Sequence, residues 1–275
     1  MNKAKLRRRH ALLRGWFRVL PDFAIIGVQK GGTGTLYNTL VQHPAIAAAL
    51  TKEVTFFDRH FRKGKLWYRA HFPTIFQRWR ALRQGRPFLV GEASPGYIFI
   101  PFAAENARRT IPNGRFVALL RNPIDRAYSH YQHELRKGCE KLTFEEALDG
   151  EEERLKGTME RAMATRKKIG ALRHFSYKQR GHYAEQLERW YAQFPREQIL
   201  VLRTEDFAEK SEEIVQQVCA FLGVPPMDLK EYKRFNVGSY KDEMKPETRT
   251  RLVEYFRPYN AQLKELTGRD FGWDR

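Results

Sequence analysis

Residues 23–35 read Phe-Ala-Ile-Ile-Gly-Val-Gln-Lys-Gly-Gly-Thr-Gly-Thr, and this stretch decides the fold class. Its first six residues form an apolar run that is rich in β-formers and too short for a buried helix, so we predict a buried strand. Three glycines follow and indicate a tight turn. Thr35 to Gln42 then has helical character until His43-Pro44 ends it. The stretch therefore predicts a strand, a glycine-rich loop and a helix.

The same alternation of strand and helix recurs along the chain. Short apolar runs predict strands at residues 87–90, 116–120 and 198–202, and the clearest helical patterns cover residues 124–136, 211–222 and 246–266. Strands that alternate with helices form a mostly parallel sheet covered on both faces. We therefore predict an α/β fold, a P-loop-like single domain with a mostly parallel central sheet flanked by helices.

Composition and charge exclude several classes of protein. The chain has 275 residues, 42% of them hydrophobic, which is enough to fill a core and excludes wholesale disorder. Its two cysteines, Cys139 and Cys219, exclude a disulfide framework and a four-cysteine zinc site and favour a reducing compartment, so we expect a cytoplasmic protein. No apolar run of membrane-spanning length and no signal peptide is apparent, so we expect no membrane span.

A basic arm precedes the predicted domain. Residues 1–21 contain seven of the Lys and Arg residues that give the chain a net charge of +18, and they contain no acid. The favoured interpretation is a lead-in helix packed on the domain, residues 22–275, by Trp16 and Phe17. The alternative is peripheral contact with an anionic membrane surface or an acidic polymer. Residues 144–168 are highly charged and predict an exposed helix or an insertion over the active face.

The glycine-rich loop has the composition of a phosphate-binding site. Gly31, Gly32 and Gly34 allow the backbone to approach an anion, and the start of the following helix attracts it. Lys30 adds a positive charge, and Thr33 and Thr35 add hydroxyl donors. The loop departs from the nucleoside triphosphatase pattern because its lysine precedes the glycine pair. A glycine-rich turn without a ligand is the alternative, and Lys30 and the threonines weigh against it.

A second cluster follows the predicted strand at residues 116–120. Arg121 lies at the strand end, Pro123 starts a helix, and Ser129 follows Arg121 by eight residues. The two segments together resemble the sulfotransferases that use 3′-phosphoadenosine 5′-phosphosulfate (PAPS). The resemblance implies that the loop at Lys30 holds the 5′-phosphosulfate and that Arg121 and Ser129 hold the 3′-phosphate.

Further landmarks resemble the carbohydrate and heparan-type branch of that family. Lys52-Glu-Val-Thr-Phe-Phe-Asp58 is similar to a segment whose glutamate serves as the catalytic base, which implies that role for Glu53, and Gly91-Glu-Ala-Ser-Pro95 is similar to another family segment. Two departures stand out. Ala93 replaces a lysine of many heparan-type members, and the late Lys-Gly-Arg loop is absent, with Lys241 as a substitute for its contact to the cofactor.

The resemblance implies in-line sulfuryl transfer from PAPS to a hydroxyl or amine. Lys30 would stabilise the charge on the leaving 5′-phosphate, and Glu53 would accept the proton of the acceptor. Without the resemblance, Glu53 is an ordinary surface carboxylate, and His182 is the best rival base. The scheme needs no metal, and no group of residues has metal-ligand spacing. The acceptor is predicted to be a carbohydrate, with a lipid, a small metabolite or a protein tyrosine as alternatives.

Two other functions are kept open at this point. A nucleotide kinase of P-loop type would use Asp58 and Asp125 for magnesium, but the chain lacks the Gly-Lys-Ser/Thr pattern. A basic nucleic-acid-binding protein would use the net charge of +18 on phosphates, but no nucleic-acid motif is recognisable, so we expect no nucleic-acid partner. The sequence leaves the oligomeric state open.

Overall fold

A computed structural model describes residues 15–51, 53–167, 169–227 and 243–274. Five strands form one sheet in which every neighbouring pair is parallel. The spatial order is β2-β3-β1-β4-β5. In chain order the strands are β1 (Phe23–Gly27), β2 (Ile46–Ala48), β3 (Leu89–Ala93), β4 (Arg115–Leu120) and β5 (Ile199–Arg203). The predicted α/β fold with a parallel sheet is confirmed.

The helices of the described residues account for most of the remaining chain. They are α1 (Thr33–Leu40), α2 (Lys65–Arg69), α3 (Ile75–Arg83), α4 (Ala103–Thr110), α5 (Pro123–Arg136), α6 (Phe144–Asp149), α7 (Glu151–Leu155), α8 (Thr158–Thr165), α9 (Gly170–His174), α10 (Tyr183–Tyr191), α11 (Thr204–Glu209), α12 (Ser211–Leu222) and α13 (Pro246–Thr267). A π-helical turn, Phe56–His60, and three 3₁₀ turns, Phe61–Lys63, Gln179–Gly181 and Arg196–Gln198, complete the set.

Helices cover both faces of the sheet, which explains why β1 is buried throughout. Phe23 and Ile25 of β1 point to one face, where they share a cluster with side chains of α1 and α12. Ala24 and Ile26 point to the other face and share a cluster with α4, α10 and α13. The alternation of side chains along a strand places both cores on one short apolar run.

Three expectations about local structure need correction. The strand β2 was missed because it has only three residues and lies at the sheet edge. The described part of residues 144–168 is not a single exposed helix, because it forms α6, α7 and α8, in which Leu148 and Leu155 are buried. The alternative, an insertion over the active face, stays a prediction. Trp16 and Phe17 do not pack the arm onto the domain, because both side chains are largely exposed.

The end of the arm is attached by its backbone. Val19 N–H donates to the carbonyl of Pro73 (3.0 Å), and the N–H of Ile75 donates to the carbonyl of Phe17 (2.9 Å). Residues 1–14 of the arm lie outside the described residues. Within the described parts of the chain, no helix has the length and apolar character needed to cross a membrane.

Candidate active site

The parallel sheet brings the ends of all five strands to one edge. The carboxyl ends of parallel strands meet there, and so do the loops that follow them. Lys30 follows β1, Glu53 follows β2, Ser94 follows β3, Arg121 follows β4 and Thr204 follows β5. The candidate site is built at this edge, in loops that the sheet supports.

The loop after β1 has the backbone of an anion cradle. Lys30 and Gly32 both adopt left-handed conformations, with φ of 71° and 81°. Gly32 is the N-cap of α1 and no side chain caps this helix, so N–H groups of its first turn are left for a ligand. A Cβ on Gly31 would lie 2.6 Å from the carbonyl oxygen of Leu119, which requires glycine there. The loop therefore fits a bound phosphate.

The structure brings the two predicted anion-binding segments into contact. Arg121 Nη1 donates to the carbonyl of Lys30 at 3.0 Å, although the two residues are 91 positions apart. Thr204 Oγ1 donates to the carbonyl of Gly31 (2.8 Å), and Tyr183 donates its hydroxyl to the carbonyl of Arg121 (2.7 Å). The last two contacts orient the two loops, and neither Thr204 nor Tyr183 was predicted from the sequence.

The surroundings of Lys30 are strongly positive. Burial lowers the pKa of its ammonium below the usual range, and the charges of Arg136, Arg121 and Lys137 lower it further, with Glu134 acting in the opposite direction. A bound anion would reverse this effect because it favours the charged form of the lysine. The electrostatics of the site therefore suit a ligand with several negative charges.

The other predicted cofactor contacts lie on α1 and α5. Thr33 and Thr35 are buried in the first turn of α1. Ser129 is buried on α5, whose N-cap Asn122 accepts a hydrogen bond from the N–H of Ile124 (2.9 Å). Lys241 lies outside the described residues, so its predicted contact with the cofactor stays a prediction.

Glu53 lies in a loop that a buried network anchors. The Glu53 side chain is exposed. Two residues further on, the N–H of Thr55 donates to Ser94 Oγ (3.1 Å), and the N–H of Phe56 donates to the hydroxyl of Tyr97 (2.7 Å). The N–H of Ser94 in turn donates to the carbonyl of Ile25 in β1 (3.0 Å). The loop of Glu53 is thus tied to the two strands beside the phosphate loop.

Glu92 is the centre of this network and was given no role from the sequence. It is fully buried in β3. Its carboxylate accepts hydrogen bonds from Tyr68 (2.5 Å), Ser94 (2.7 Å) and Tyr97 (2.9 Å). Burial raises the pKa of Glu92 to about 7, although these three hydrogen bonds act to lower it. Glu92 therefore holds, through Ser94 and Tyr97, the backbone next to Glu53.

We expect the Glu92→Gln variant to remove a pH dependence of stability. An unfolded glutamate titrates near 4.5, whereas folded Glu92 keeps its proton up to about 7. The folded state binds more protons between these values, so the contribution of Glu92 to stability falls as the pH rises through this window. We expect urea denaturation between pH 4.5 and 7.5 to show that the free energy of unfolding of the wild type falls by up to about 3 kcal/mol relative to that of the variant. If the difference in free energy of unfolding between wild type and variant does not change with pH, the raised pKa of Glu92 is contradicted.

His182, the rival base, is packed among tyrosines of α13. The ring of His182 stacks on Tyr259 (3.7 Å between centroids), and its Nε2 lies 2.9 Å from the hydroxyl of Tyr255. Burial lowers the pKa of His182 to about 4, so the ring is neutral at pH 7. His43, which follows α1 in a loop, accepts at Nδ1 from the N–H of Ala45 (2.9 Å). A catalytic role of His182 stays a prediction.

Three potential metal ligands lie close together although their spacing in the sequence did not indicate a site. The ligand atoms of Glu134, Cys139 and His174 are all within 4.8 Å of one another. Glu134 Oε2 lies 2.6 Å from His174 Nδ1, and Glu134 Oε1 lies 3.9 Å from the ammonium of Lys137. The Glu134 carboxylate is thus already in contact with His174 and Lys137, so the cluster does not require a cation.

The fold and this edge of the sheet place the chain among P-loop-like α/β proteins. A family profile described as "Sulfotransferase domain" matches residues 20–247. The chain therefore belongs to the PAPS-dependent sulfotransferase family, and it is a transferase enzyme. The resemblance drawn from the loop at Lys30 and from Arg121 and Ser129 is confirmed at the level of the family.

Individual relatives agree with this assignment. The chain is 28% identical to the membrane-associated sulfotransferase kil1 of Dictyostelium discoideum over 95% of this chain and 68% of that protein. It is 29% identical to human heparan sulfate glucosamine 3-O-sulfotransferase 6 over 93% of this chain and 74% of that protein. The crystal structure of a sulfotransferase from Alicyclobacillus acidocaldarius matches with a TM-score of 0.70 and 31% identity, covering 94% of this chain and all of that one.

Proposed function

We propose that this protein transfers the sulfuryl group of PAPS to a hydroxyl or amine of a carbohydrate. The contact between Arg121 and Lys30 carries the proposal, because it joins two anion-binding segments in one site at the carboxyl edge of the sheet. The loop of Glu53 is anchored at the same edge. Together these residues supply what the reaction needs from the protein: a binding site for the leaving phosphate and a base for the acceptor.

The residues present fit the cofactor. The N–H groups at the start of α1, with Lys30, Thr33 and Thr35, would hold the 5′-phosphosulfate, since the uncapped helix end and the glycine conformations suit an anion. Arg121 and Ser129 would hold the 3′-phosphate. When bound, PAPS supplies an activated sulfuryl group and leaves as a bisphosphorylated adenosine. No step of this scheme uses a metal.

Two groups of the chain have a direct role in the transfer: a base for the acceptor and a positive charge for the leaving phosphate. The Glu53 carboxylate accepts the proton from the acceptor O–H or N–H as that atom approaches sulfur. The Lys30 ammonium and the loop N–H groups stabilise the negative charge that develops on the leaving phosphate. The sheet and the Glu92 network hold these groups in place before the reaction, which is the main source of catalysis in a transfer with little covalent help from the protein.

A carbohydrate acceptor is supported by the relative named as a heparan sulfate glucosamine 3-O-sulfotransferase, which covers most of this chain. The positive surroundings of Lys30 also suit an acidic sugar beside the cofactor. A smaller hydroxylated metabolite is the second candidate acceptor. We further propose a cytoplasmic location, which rests on the two free cysteines, Cys139 and Cys219.

Thermal denaturation with nucleotides tests the proposal. A hundredfold excess of 3′-phosphoadenosine 5′-phosphate over its Kd should stabilise the protein by about 2.7 kcal/mol and raise the Tm by several degrees, whereas ADP and ATP at the same concentration should have much smaller effects. Stabilisation by ATP with Mg²⁺ alone would instead favour a kinase. A response only to nucleic acid that vanishes with added salt would favour a nucleic-acid-binding protein.

Arg121→Ala should reduce the preference for a 3′-phosphorylated nucleotide. The guanidinium would donate charge-assisted hydrogen bonds to the 3′-phosphate, so we expect affinity for 3′-phosphoadenosine 5′-phosphate to fall roughly 10- to 100-fold while affinity for 5′-AMP changes little. Calorimetric titration of both nucleotides gives the ratio. Arg109→Ala, which removes an exposed arginine of α4, is the control. An equal loss for both nucleotides would reject the assignment of Arg121 to the 3′-phosphate.

A further inference from the structure

One helix of the molecule presents its apolar side chains to solvent. Of the nine residues of α3, none is buried. Phe76 and Trp79 are 64% and 57% exposed, and Trp16 and Phe17 at the end of the arm are 62% and 59% exposed. We call this surface the aromatic face; its members are Trp16, Phe17, Ile75, Phe76, Trp79 and Leu82. An exposed group of large apolar side chains of this kind marks an interaction site.

The two parts of the aromatic face are held together. The N–H of Ile75, the first residue of α3, donates to the carbonyl of Phe17 (2.9 Å). Arg69 Nη2 donates to the carbonyl of Trp16 (3.2 Å). The helix is also fixed at its start, where Thr74 and Gln77 form a capping box. The aromatic side chains therefore extend from a defined backbone and not from a free terminus.

The two sequence segments that carry the aromatic face are also rich in basic residues. Residues 1–21 contain seven Lys and Arg and residues 59–91 contain nine, and neither segment contains an Asp or Glu. The whole chain has a net charge of +18, so the rest of the sequence is close to neutral. Arg80, Arg83 and Arg86 are exposed on or just after α3, and the guanidinium of Arg83 lies 4.5 Å from the ring centre of Trp79. Cations and aromatic rings are thus interleaved on one surface.

The face also lies away from the candidate active site. Arg78 of α3 forms an ion pair with Asp22, the residue immediately before β1. This contact places α3 beside the amino ends of the strands, whereas Lys30, Glu53 and Arg121 follow the carboxyl ends. A surface bound to the aromatic face would therefore leave the candidate site open.

We propose that the aromatic face docks this protein on an anionic lipid bilayer. Trp, Phe and Leu side chains bury in the headgroup region while arginines remain at the charged surface, so a bilayer satisfies both kinds of residue at once. A soluble polyanion would pair with the arginines and leave Phe76 and Leu82 in water. Residues 1–14, which precede this face in the sequence, contain six Lys and Arg and no acid, and their charge would add to the attraction. The proposal is independent of the sulfotransferase activity.

Co-sedimentation of the full chain with vesicles tests the proposal. The protein should partition onto phosphatidylcholine vesicles that contain 30% phosphatidylserine, should partition poorly onto phosphatidylcholine alone, and should be released by added salt. The double variant Arg80→Gln/Arg83→Gln should weaken partitioning roughly 20- to 30-fold, because each arginine near an anionic surface contributes about 1 kcal/mol of attraction. The double variant Phe76→Ser/Trp79→Ser should weaken it about tenfold or more.

A matched control separates this effect from a general loss of apolar surface. Leu142→Ser/Met163→Ser removes two exposed apolar side chains outside the aromatic face and should leave partitioning unchanged. All three double variants replace exposed residues, so we expect each to keep the far-UV spectrum and the Tm of the wild type. Transfer to a soluble acceptor should also be unchanged, because none of these residues belongs to the candidate site.

Several outcomes would overturn the proposal. Equal partitioning of the wild type and the Phe76/Trp79 variant would show that the aromatic side chains do not enter the bilayer. Binding to dextran sulfate but not to vesicles would assign the surface to a glycan. A change from dimer to monomer in the Phe76/Trp79 variant, without vesicle binding by the wild type, would assign it to a second copy of the chain. Vesicle binding that is abolished by removal of residues 1–14 but unaffected by the Phe76/Trp79 substitutions would assign it to the arm.

Discussion

Glu53→Gln is expected to lower the rate of sulfuryl transfer by about 10² to 10⁴ while cofactor binding stays nearly intact. The amide has the size of the carboxylate but cannot accept the proton of the acceptor. The side chain is exposed, so the substitution should not disturb folding. Single-turnover rates with PAPS, together with the Tm shift caused by 3′-phosphoadenosine 5′-phosphate, separate the loss of a base from a loss of binding.

Two matched variants make this test specific. Glu152→Gln removes another exposed glutamate, at α7, and should leave the rate unchanged. His182→Asn tests the rival base, whose ring packs against Tyr259 and Tyr255. Near-normal turnover of Glu53→Gln would remove Glu53 from the mechanism. A large loss in His182→Asn, with the Tm unchanged, would transfer the role of the base to His182.

Lys30→Ala is expected to lower the rate of transfer by about 10² to 10³ and to weaken binding of the nucleotide at the same time. The ammonium would stabilise charge that grows on the leaving phosphate, so its effect should be larger on kcat than on affinity. The substitution also removes the charge repulsion between Lys30 and the guanidinium groups of Arg136 and Arg121. We therefore expect the ligand-free variant to be more stable than the ligand-free wild type. Calorimetric titration and steady-state kinetics measure the two effects separately.

Two further variants, Lys30→Arg and Lys156→Ala, show whether the effect of Lys30→Ala comes from the lost charge at this position. Lys30→Arg keeps the charge and should recover part of the affinity, although the left-handed backbone at φ 71° constrains where the longer side chain can reach. Lys156→Ala removes an exposed lysine elsewhere and serves as the control. A Lys30→Ala enzyme with normal kcat and a raised KM would show that Lys30 binds substrate without stabilising the transition state.

The local elements were predictable because their signals are local. The apolar run before Lys30 is short, rich in β-formers and followed by glycines, and β1 spans Phe23–Gly27, one residue shorter than the predicted run. Pro123 at the first position of α5 and the helical spacing of residues 211–222 also identified their helices. The strand β2 was not predicted because three residues at the sheet edge give no periodic pattern. The exposure of Trp16 and Phe17 was not predicted because the burial of a side chain depends on residues that are distant in the sequence.

The residues proposed for the candidate site could be chosen from the sequence, but the contacts that hold them in place could not. The residue types around Lys30 and Arg121 indicate anion binding by their chemistry alone. The contacts that orient them involve Thr204 and Tyr183, which no spacing connects to either loop. The same holds for Glu92, whose hydrogen-bond partners include the distant Tyr68. Each such contact depends on how the strands are ordered in the sheet.

The amino-acid sequence alone determined the fold class and the family and predicted a phosphate-binding role for the first loop, because these inferences depend on residue types at short spacing. Only the tertiary structure decided that Arg121 meets the carbonyl of Lys30, that Glu92 supports the loop of Glu53, and that an aromatic and cationic surface lies at the amino end of the sheet. Parallel strands bring distant loops to a common edge, and that convergence depends on strand order and register, which are properties of the assembled sheet.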